Sequence, residues 1–283
     1  MIEVYDLNGI AGKTHKHIGI DEVVQDALDN EVRTISVIST GNYLKEIVEE
    51  IGRRELNDKL RVVNLVNRRL GNNALELIIE DNLILRDSKE REEYTLKKIP
   101  DVGRVRDYTD FIPKALEKRA EGILSSNPDY IGSGVGTGKL LVTLYRKIKE
   151  KNLRTKLVGL VPQHENGIFN DDNLYEDTQD RLHFRTFETI SLADKLSTPY
   201  TSFKKEIKQA IADGHIIIEA NDEDFRRANQ EALSRGYNAE ISGSAGFVLY
   251  DPVIRQKYGI GENSRIIVIN TGNGLRNFSS NLR

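Results

Sequence analysis

The 283 residues contain no cysteine and no tryptophan, and only one methionine. Without cysteine there is no disulfide framework, no thiolate nucleophile and no thiolate metal site. The five histidines never pair as HxxxH or HExxH, so no dedicated zinc site is expected. No apolar run approaches the ~20 residues of a membrane span. The opening "MIEVYDLNGIAGKTHK" also lacks the apolar core of a signal peptide. We therefore expect a cytoplasmic protein with no membrane partner. Charge is nearly balanced, with 41 basic and 44 acidic residues and a net charge of −3, which gives no pull toward nucleic acid. Basic runs such as "RVVNLVNRR" alternate with acidic ones and read as solvated faces.

What is present describes a folded chain. Hydrophobic residues make up 38% and charged residues 30%, and the length suffices for one large domain or two smaller ones. Strand and helix patterns alternate. "IDEVVQDALDN" (Ile20–Asn30) places Val23, Val24, Ala27 and Leu28 on one helical face, and "RTISVIS" (Arg33–Ser39) follows as a buried strand. "NYLKEIVEEIG" is a helix, while "LRVVNLV" and "NLILRD" are strands. The charged segment Ser88–Asp110 reads as a connection, and "DFIPKALEKRAEGIL" as a helix with Pro113 in its first turn. Later come strand "DYIGSG", a helix to Lys151, strand "TKLVGLVP", and a long polar stretch from Gln163 to Glu188. Helices at Tyr200–Asp213 and Asp222–Arg235 flank strand "HIIIEA"; a helix from about Ser244 and strand "RIIVIN" close the pattern before a surface tail, "GLRNFSSNLR". Strands separated by helices predict an α/β fold with largely parallel sheets covered on both faces.

One stretch looks like chemistry. "IGSGVGTGKLLVTLYRKIKE" sets Gly132, Gly134, Gly136 and Gly138 at every second position, directly before a helical pattern. Such a turn suits a phosphate, because backbone N–H groups converge on it and the helix dipole adds positive potential. A Walker A loop is excluded: Ser133 stands where its first glycine belongs, and Leu140 where magnesium needs a hydroxyl. The dinucleotide fingerprint fails at Thr137, and the loop lies mid-chain rather than in the first βα unit. On this loop alone, a nucleotide, pyridoxal phosphate and a purely structural turn all stay open.

The surrounding motifs narrow the choice. "DLNGIAGKTHKHIG", "STGN" (Ser39–Asn42), the glycine loop, "EISGSAG" (Glu240–Gly246) and "NTGNG" (Asn270–Gly274) occur in that order. This set resembles the pyridoxal-phosphate enzymes of the tryptophan-synthase-β fold type (fold type II), over roughly Asp6 to Gly274. "ETISLADKLSTPY" and the segment leading into "EISGSAG" look most like threonine synthases, whereas "DLN…THK" is closer to tryptophan synthase β. The resemblance implies two three-layer lobes. Residues 14–122 would form a smaller lobe carrying the lysine and asparagine loop; 1–13 with 123–283 would form a larger lobe carrying the phosphate loop.

The resemblance also implies roles. Lys16, within "THKHI", matches the lysine that links covalently to the cofactor and shuttles the substrate α-proton; Lys13 is its nearby rival. Asn42 matches the asparagine that braces the pyridine ring. Ser39, Thr40 and Gly41 would receive the substrate carboxylate, although Ser-Thr-Gly-Asn is also a helix-capping composition. Tyr43 stands where relatives have a small or hydroxyl residue and would reshape the substrate pocket. Gly134, Val135, Gly136, Thr137, Gly138 and Lys139 would hold the cofactor phosphate, with Lys139 and Leu140 replacing the end of the relatives' "GTGGT". Thr271 matches the hydroxyl facing the pyridine nitrogen, a partner that leaves that nitrogen unprotonated and suits elimination and replacement. Glu240 aligns with the glutamate of an "EPS" segment and would neighbour the ring or substrate. His15 and His17 flank Lys16, within reach of phosphate or substrate. The implied activity is elimination or replacement on an amino acid or phosphoamino acid, of the threonine synthase or cysteine/cysteate synthase kind, in a homodimer. Fifteen residues precede Lys16 where relatives have several dozen. That difference leaves room for a partner subunit or for a cofactor-binding homologue without catalysis.

Overall fold

The strand at Ile266–Asn270 (β13) is buried at every residue, because it lies inside a parallel sheet and cannot alternate. The structure is a computed structural model that describes residues 1–7, 15–37, 42–64, 66–67, 84–85, 103–163, 174–176, 182–184, 191–193, 196, 200–201 and 203–272. Contacts divide the chain into two units, Met1–His15 with Leu116–Arg283, and Lys16–Ala115. The resemblance implies boundaries at 14 and 122 instead.

The first unit is built on a five-stranded sheet. Besides β13 it contains Ile2–Asp6 (β1), Tyr130–Gly134 (β7), Lys156–Pro162 (β8) and Ile216–Ala220 (β12). The order is β1, β13, β7, β8, β12, parallel throughout. Burial follows position. β8 and β13 are continuous apolar runs, whereas the edge strands β1 and β12 are largely half-buried. Ile266, Ile267, Val268 and Ile269 each contribute about 1.5–3 kcal/mol of burial, and all are at most 4% exposed. The strand β1 was not expected from the sequence, where "IEVYD" is short and carries two carboxylates; its place comes from pairing Ile2 with Ile266 through to Asp6 with Asn270.

Helices connect these strands. Lys114–Leu124 (α3) buries Leu116, Ala120, Ile123 and Leu124, and Lys139–Glu150 (α4) buries Leu140, Leu141, Leu144 and Ile148. Lys204–Ala212 (α5) is shorter than expected, since Tyr200–Thr201 (β11) forms a strand instead. Asp222–Ser234 (α6) starts on a reciprocal cap, in which the Asn221 side chain accepts from Asp224 N and the Asp224 carboxylate accepts from Asn221 N. The helix expected from Ser244 is a 3-10 segment, Ala245–Tyr250, followed by Pro252–Lys257 (α7). Asp251 caps α7 through Val253 N and Pro252 takes the first position, which separates the two pieces. The polar stretch after Gln163 contains two short strands, Leu174–Glu176 (β9) and Leu182–Phe184 (β10), which pair antiparallel with each other.

The second unit pairs Arg61–Asn64 (β3), Thr34–Val37 (β2) and Val105–Asp107 (β6) in a parallel sheet. Two shorter strands, Val66–Asn67 (β4) and Ile84–Leu85 (β5), pair parallel with each other. The strand β6 falls in the segment expected to be a connection; three residues hold as a strand because they pair along β2. Ile20–Asp29 (α1) and Asn42–Arg53 (α2) lay Val23, Val24, Ala27, Leu44, Ile47 and Ile51 into one core with Ile35 and Val37. Pro113 precedes α3 rather than lying within it. Two α3 N–H groups, at Lys114 and Ala115, donate to the Glu22 carboxylate of α1 at 2.7 and 2.8 Å. No helix among the described residues is long and apolar enough to cross a membrane.

Candidate functional site

β7 and β13 are neighbours running the same way, so the loops that leave them open on the same edge of the first unit's sheet. Carboxyl ends of parallel strands are where α/β sheets gather ligands.

At the end of β7, Val135 N still donates to Leu160 O of β8 at 2.9 Å, and the chain then turns through Gly136, Thr137 and Gly138 into α4. Gly138 is the helix cap with φ +89°, a conformation that requires glycine. It offers no side-chain cap, so the first-turn N–H groups of α4 are not taken by their own cap residue. Lys139 is the first helical residue and is half-buried; its carbonyl accepts the Thr143 hydroxyl at 2.7 Å. All six residues of the expected phosphate loop, Gly134 to Lys139, thus lie in one strand–turn–helix junction.

At the end of β13, Asn270 is 2% exposed; its side-chain amide donates to Asp6 Oδ1 at 3.3 Å, and its carbonyl accepts Leu7 N at 3.0 Å. Thr271 N donates to Gly243 O at 3.1 Å, and Thr271 O accepts both His15 N at 3.2 Å and His15 Nδ1 at 2.8 Å. The Thr271 backbone is thereby fully used. Its hydroxyl has no hydrogen-bond partner among the described residues, although the residue is only 8% exposed. A hydroxyl without a partner among the described residues, on a residue this little exposed, is a group available to a ligand.

The "EISGSAG" turn packs directly on this strand end. A Cβ on Gly243 would come within 2.5 Å of Gly272 N and 2.6 Å of Gly272 Cα, so two backbones meet where only glycine fits. Glu240 is 8% exposed, and its Oε1 would lie 2.6 Å from a Cβ on Gly272. Asn229 of α6 braces the turn, donating to Ala239 O at 2.7 Å and Ser244 Oγ at 3.3 Å. The sequence reading singled out neither Asn229 nor Asn270. Asn270 stood inside a quoted motif; Asn229 offered no local signal, since its partners lie ten and fifteen residues away.

In the second unit, Lys16 lies in a 3-10 turn, His15–His17, and is half-buried. Asn42 opens α2. Tyr43 is 9% exposed within the unit's core, and its hydroxyl donates to Tyr108 O at 3.1 Å. Burial, then the Asp107 and Asp110 carboxylates, push the Tyr43 phenol pKa up. This hydroxyl is committed to the unit's own packing. Ser39, Thr40, Gly41, Lys13 and the side chain of Asn42 lie outside the described residues, as do Asn273 and Gly274 of "NTGNG". Among the described residues no cluster of three His, Asp or Glu is placed to hold a metal ion.

The sequence matches no protein-family model and no curated protein. The structure is similar to maize serine racemase, at 15% identity over 98% of this chain and 85% of that one, with a TM-score of 0.71. It is similar to O-ureido-L-serine synthase at 15% identity over 99% and 87% of the two chains, TM-score 0.71. A pyridoxal 5'-phosphate-dependent aspartate racemase aligns at 12% identity over 98% and 85%, TM-score 0.67. At such identities the likeness is one of fold: the chain has the mixed α/β, parallel-sheet architecture of fold type II that its motifs resembled.

Proposed function

We propose that this chain is a pyridoxal-phosphate-dependent enzyme that eliminates or replaces a substituent on a small amino acid or phosphoamino acid, of the threonine synthase kind, with β-replacement as the nearest variant. One observation carries the reading. The Thr271 hydroxyl, without a partner among the described residues, directly follows one strand, while the glycine-capped N-terminus of α4 begins after the neighbouring strand on the same sheet edge. A hydroxyl for a ring nitrogen beside helix N–H groups for a phosphate is a donor set that fits pyridoxal phosphate. When bound, this cofactor supplies an electron-withdrawing ring that stabilises negative charge at the substrate α-carbon.

The chain's own residues divide the rest of the work. Lys16 would hold the cofactor covalently through its ε-amine, and the same amine would take the substrate α-proton. Gly134 to Lys139 bind the phosphate through backbone N–H groups and the α4 dipole. Thr271 would offer its hydroxyl to the ring nitrogen without protonating it, which would restrain the electron sink and favour loss of a β- or γ-substituent over transamination. Asn42 braces the ring, Ser39, Thr40 and Gly41 receive the substrate carboxylate, and Glu240 neighbours the ring. A cytoplasmic homodimer completes the proposal.

The test is the visible spectrum of the purified protein with added pyridoxal phosphate, read before and after borohydride, then with a panel of amino acids and phosphohomoserine. The expected result is a visible band, fixed by borohydride onto the Lys16 peptide and absent in Lys16→Ala, that phosphohomoserine or a β-substituted serine perturbs. A chain that gains no band overturns the reading, and retention of a nucleotide instead would favour a nucleotide-binding α/β protein. A band that no amino acid perturbs favours a cofactor-binding homologue without catalysis. Racemisation without loss of a substituent would retain the cofactor and replace the reaction.

A further inference from the structure

His15 makes two hydrogen bonds to a single acceptor. Its backbone N–H donates to the Thr271 carbonyl at 3.2 Å, and its ring Nδ1 lies 2.8 Å from the same oxygen, 256 residues away in sequence. A carbonyl oxygen can only accept, so Nδ1 carries the proton. In the neutral ring Nε2 is then an acceptor. The anchor point is itself held firmly: Thr271 follows a fully buried strand, donates its N–H to Gly243 O at 3.1 Å, and is 8% exposed. One backbone hydrogen bond leaves a peptide free to pivot about it. A second bond from the same residue to the same oxygen ties the ring to the main chain, so that the residue can turn about that oxygen only as one body.

The next residue in the chain is Lys16. We propose that His15 is a positioning residue: its double attachment to the Thr271 carbonyl fixes the point at which the chain enters Lys16 and so limits the orientations open to that lysine. The importance of Lys16 rests on the proposed function above, whereas the attachment stands on the two distances alone. In reactions between held groups, orientation carries a large share of the rate, and a small misplacement costs about a hundredfold at the extreme.

Two variants separate positioning from bulk. His15→Asn keeps a side-chain N–H donor near the place of Nδ1, and His15→Phe keeps a planar ring without the donor. Three measurements apply to the full chain. Long-range proton–nitrogen spectra give the tautomer of each histidine ring, with His15 assigned by its loss in His15→Phe. Peptide mass spectrometry gives the rate at which borohydride traps pyridoxal phosphate on Lys16, across pH. Thermal unfolding of the unloaded protein reports stability. We expect the Nδ1–H tautomer at His15, trapping on Lys16 slowed about tenfold or more in His15→Phe, and most of that rate recovered in His15→Asn. Trapping on other lysines should stay unchanged.

An Nε2–H tautomer at His15, or a wild-type trapping rate in His15→Phe, overturns the proposal. So does an equal loss in both variants that tracks their melting temperatures. If the wild-type chain takes up no cofactor at Lys16, the proposed function fails separately. Reductive methylation of Lys16 by formaldehyde then replaces trapping, and the same ordering of the three proteins supports or overturns the positioning role.

Discussion

Acid should destabilise the first unit through His215. This residue immediately precedes β12, is 8% exposed, and its Nδ1 accepts the backbone N–H of Leu157 on β8 at 2.8 Å. Its ring meets the Tyr145 ring edge-on, with centroids 5.4 Å apart. A ring nitrogen that accepts an N–H has no room for a proton of its own. Burial chiefly, helped by Lys156 and Lys149 and opposed by Asp213, lowers its pKa from 6.5 to about 4. The folded pKa thus lies below the unfolded one, so between the two the unfolded chain binds a proton that the folded chain refuses. Stability is whole above about pH 6.5 and declines as pH falls toward 4. At about 1.4 kcal/mol for each tenfold difference in proton affinity, the full loss is about 3 kcal/mol, a large share of the 5–15 kcal/mol typical of a domain. The assay is urea unfolding at intervals from about pH 4.5 to 7.5, on the wild type and on His215→Asn, whose carbonyl can accept from Leu157 but does not titrate. The wild type should lose about 2–3 kcal/mol more than the variant over the acid limb. Parallel pH slopes for the two proteins would refute the reasoning. His215→Phe, which strands the Leu157 N–H, should instead lose about 1–3 kcal/mol at every pH.

Three further outcomes follow from single contacts. Gly243→Ala forces a Cβ against the Gly272 backbone and should cost about 1–3 kcal/mol; an unchanged melting temperature would mean that the two backbones are not in contact. Glu22→Ala removes the acceptor for Lys114 N and Ala115 N at the start of α3 and should lower urea stability by about 1 kcal/mol, while Glu22→Gln should lose less. Tyr43→Phe deletes a hydrogen bond to Tyr108 O and should cost about 0.5–1.5 kcal/mol with little change in KM. A raised KM at unchanged stability would restore Tyr43 to the substrate pocket expected from the sequence.

Where an element's cause is local, the sequence displays it. β8 and β13 read as strands because a doubly buried parallel strand must be a continuous apolar run. The helices α1 and α2 read as helices because their apolar residues recur on one face of the helical repeat. The phosphate-type junction was equally legible, since a strand, a glycine turn and a helix N-terminus are consecutive. The edge strand β1 was not, because "IEVYD" has no pattern of its own and is held by β13 from the far end of the chain. The strand β6 was hidden for the same reason: three residues in a charged segment become a strand only beside β2. The site repeats this division. Thr271 was nameable from its motif, yet where its hydroxyl stands depends on the partners that hold its backbone. Those partners, Gly243 and His15, lie 28 and 256 residues away. The chemistry-bearing residue types are thus readable in order along the chain, while their availability is decided by long-range hydrogen bonds that no periodicity records. His15 is the sharpest case: in sequence it is only the neighbour of a lysine, and in the fold its ring and backbone together hold the residue that follows β13.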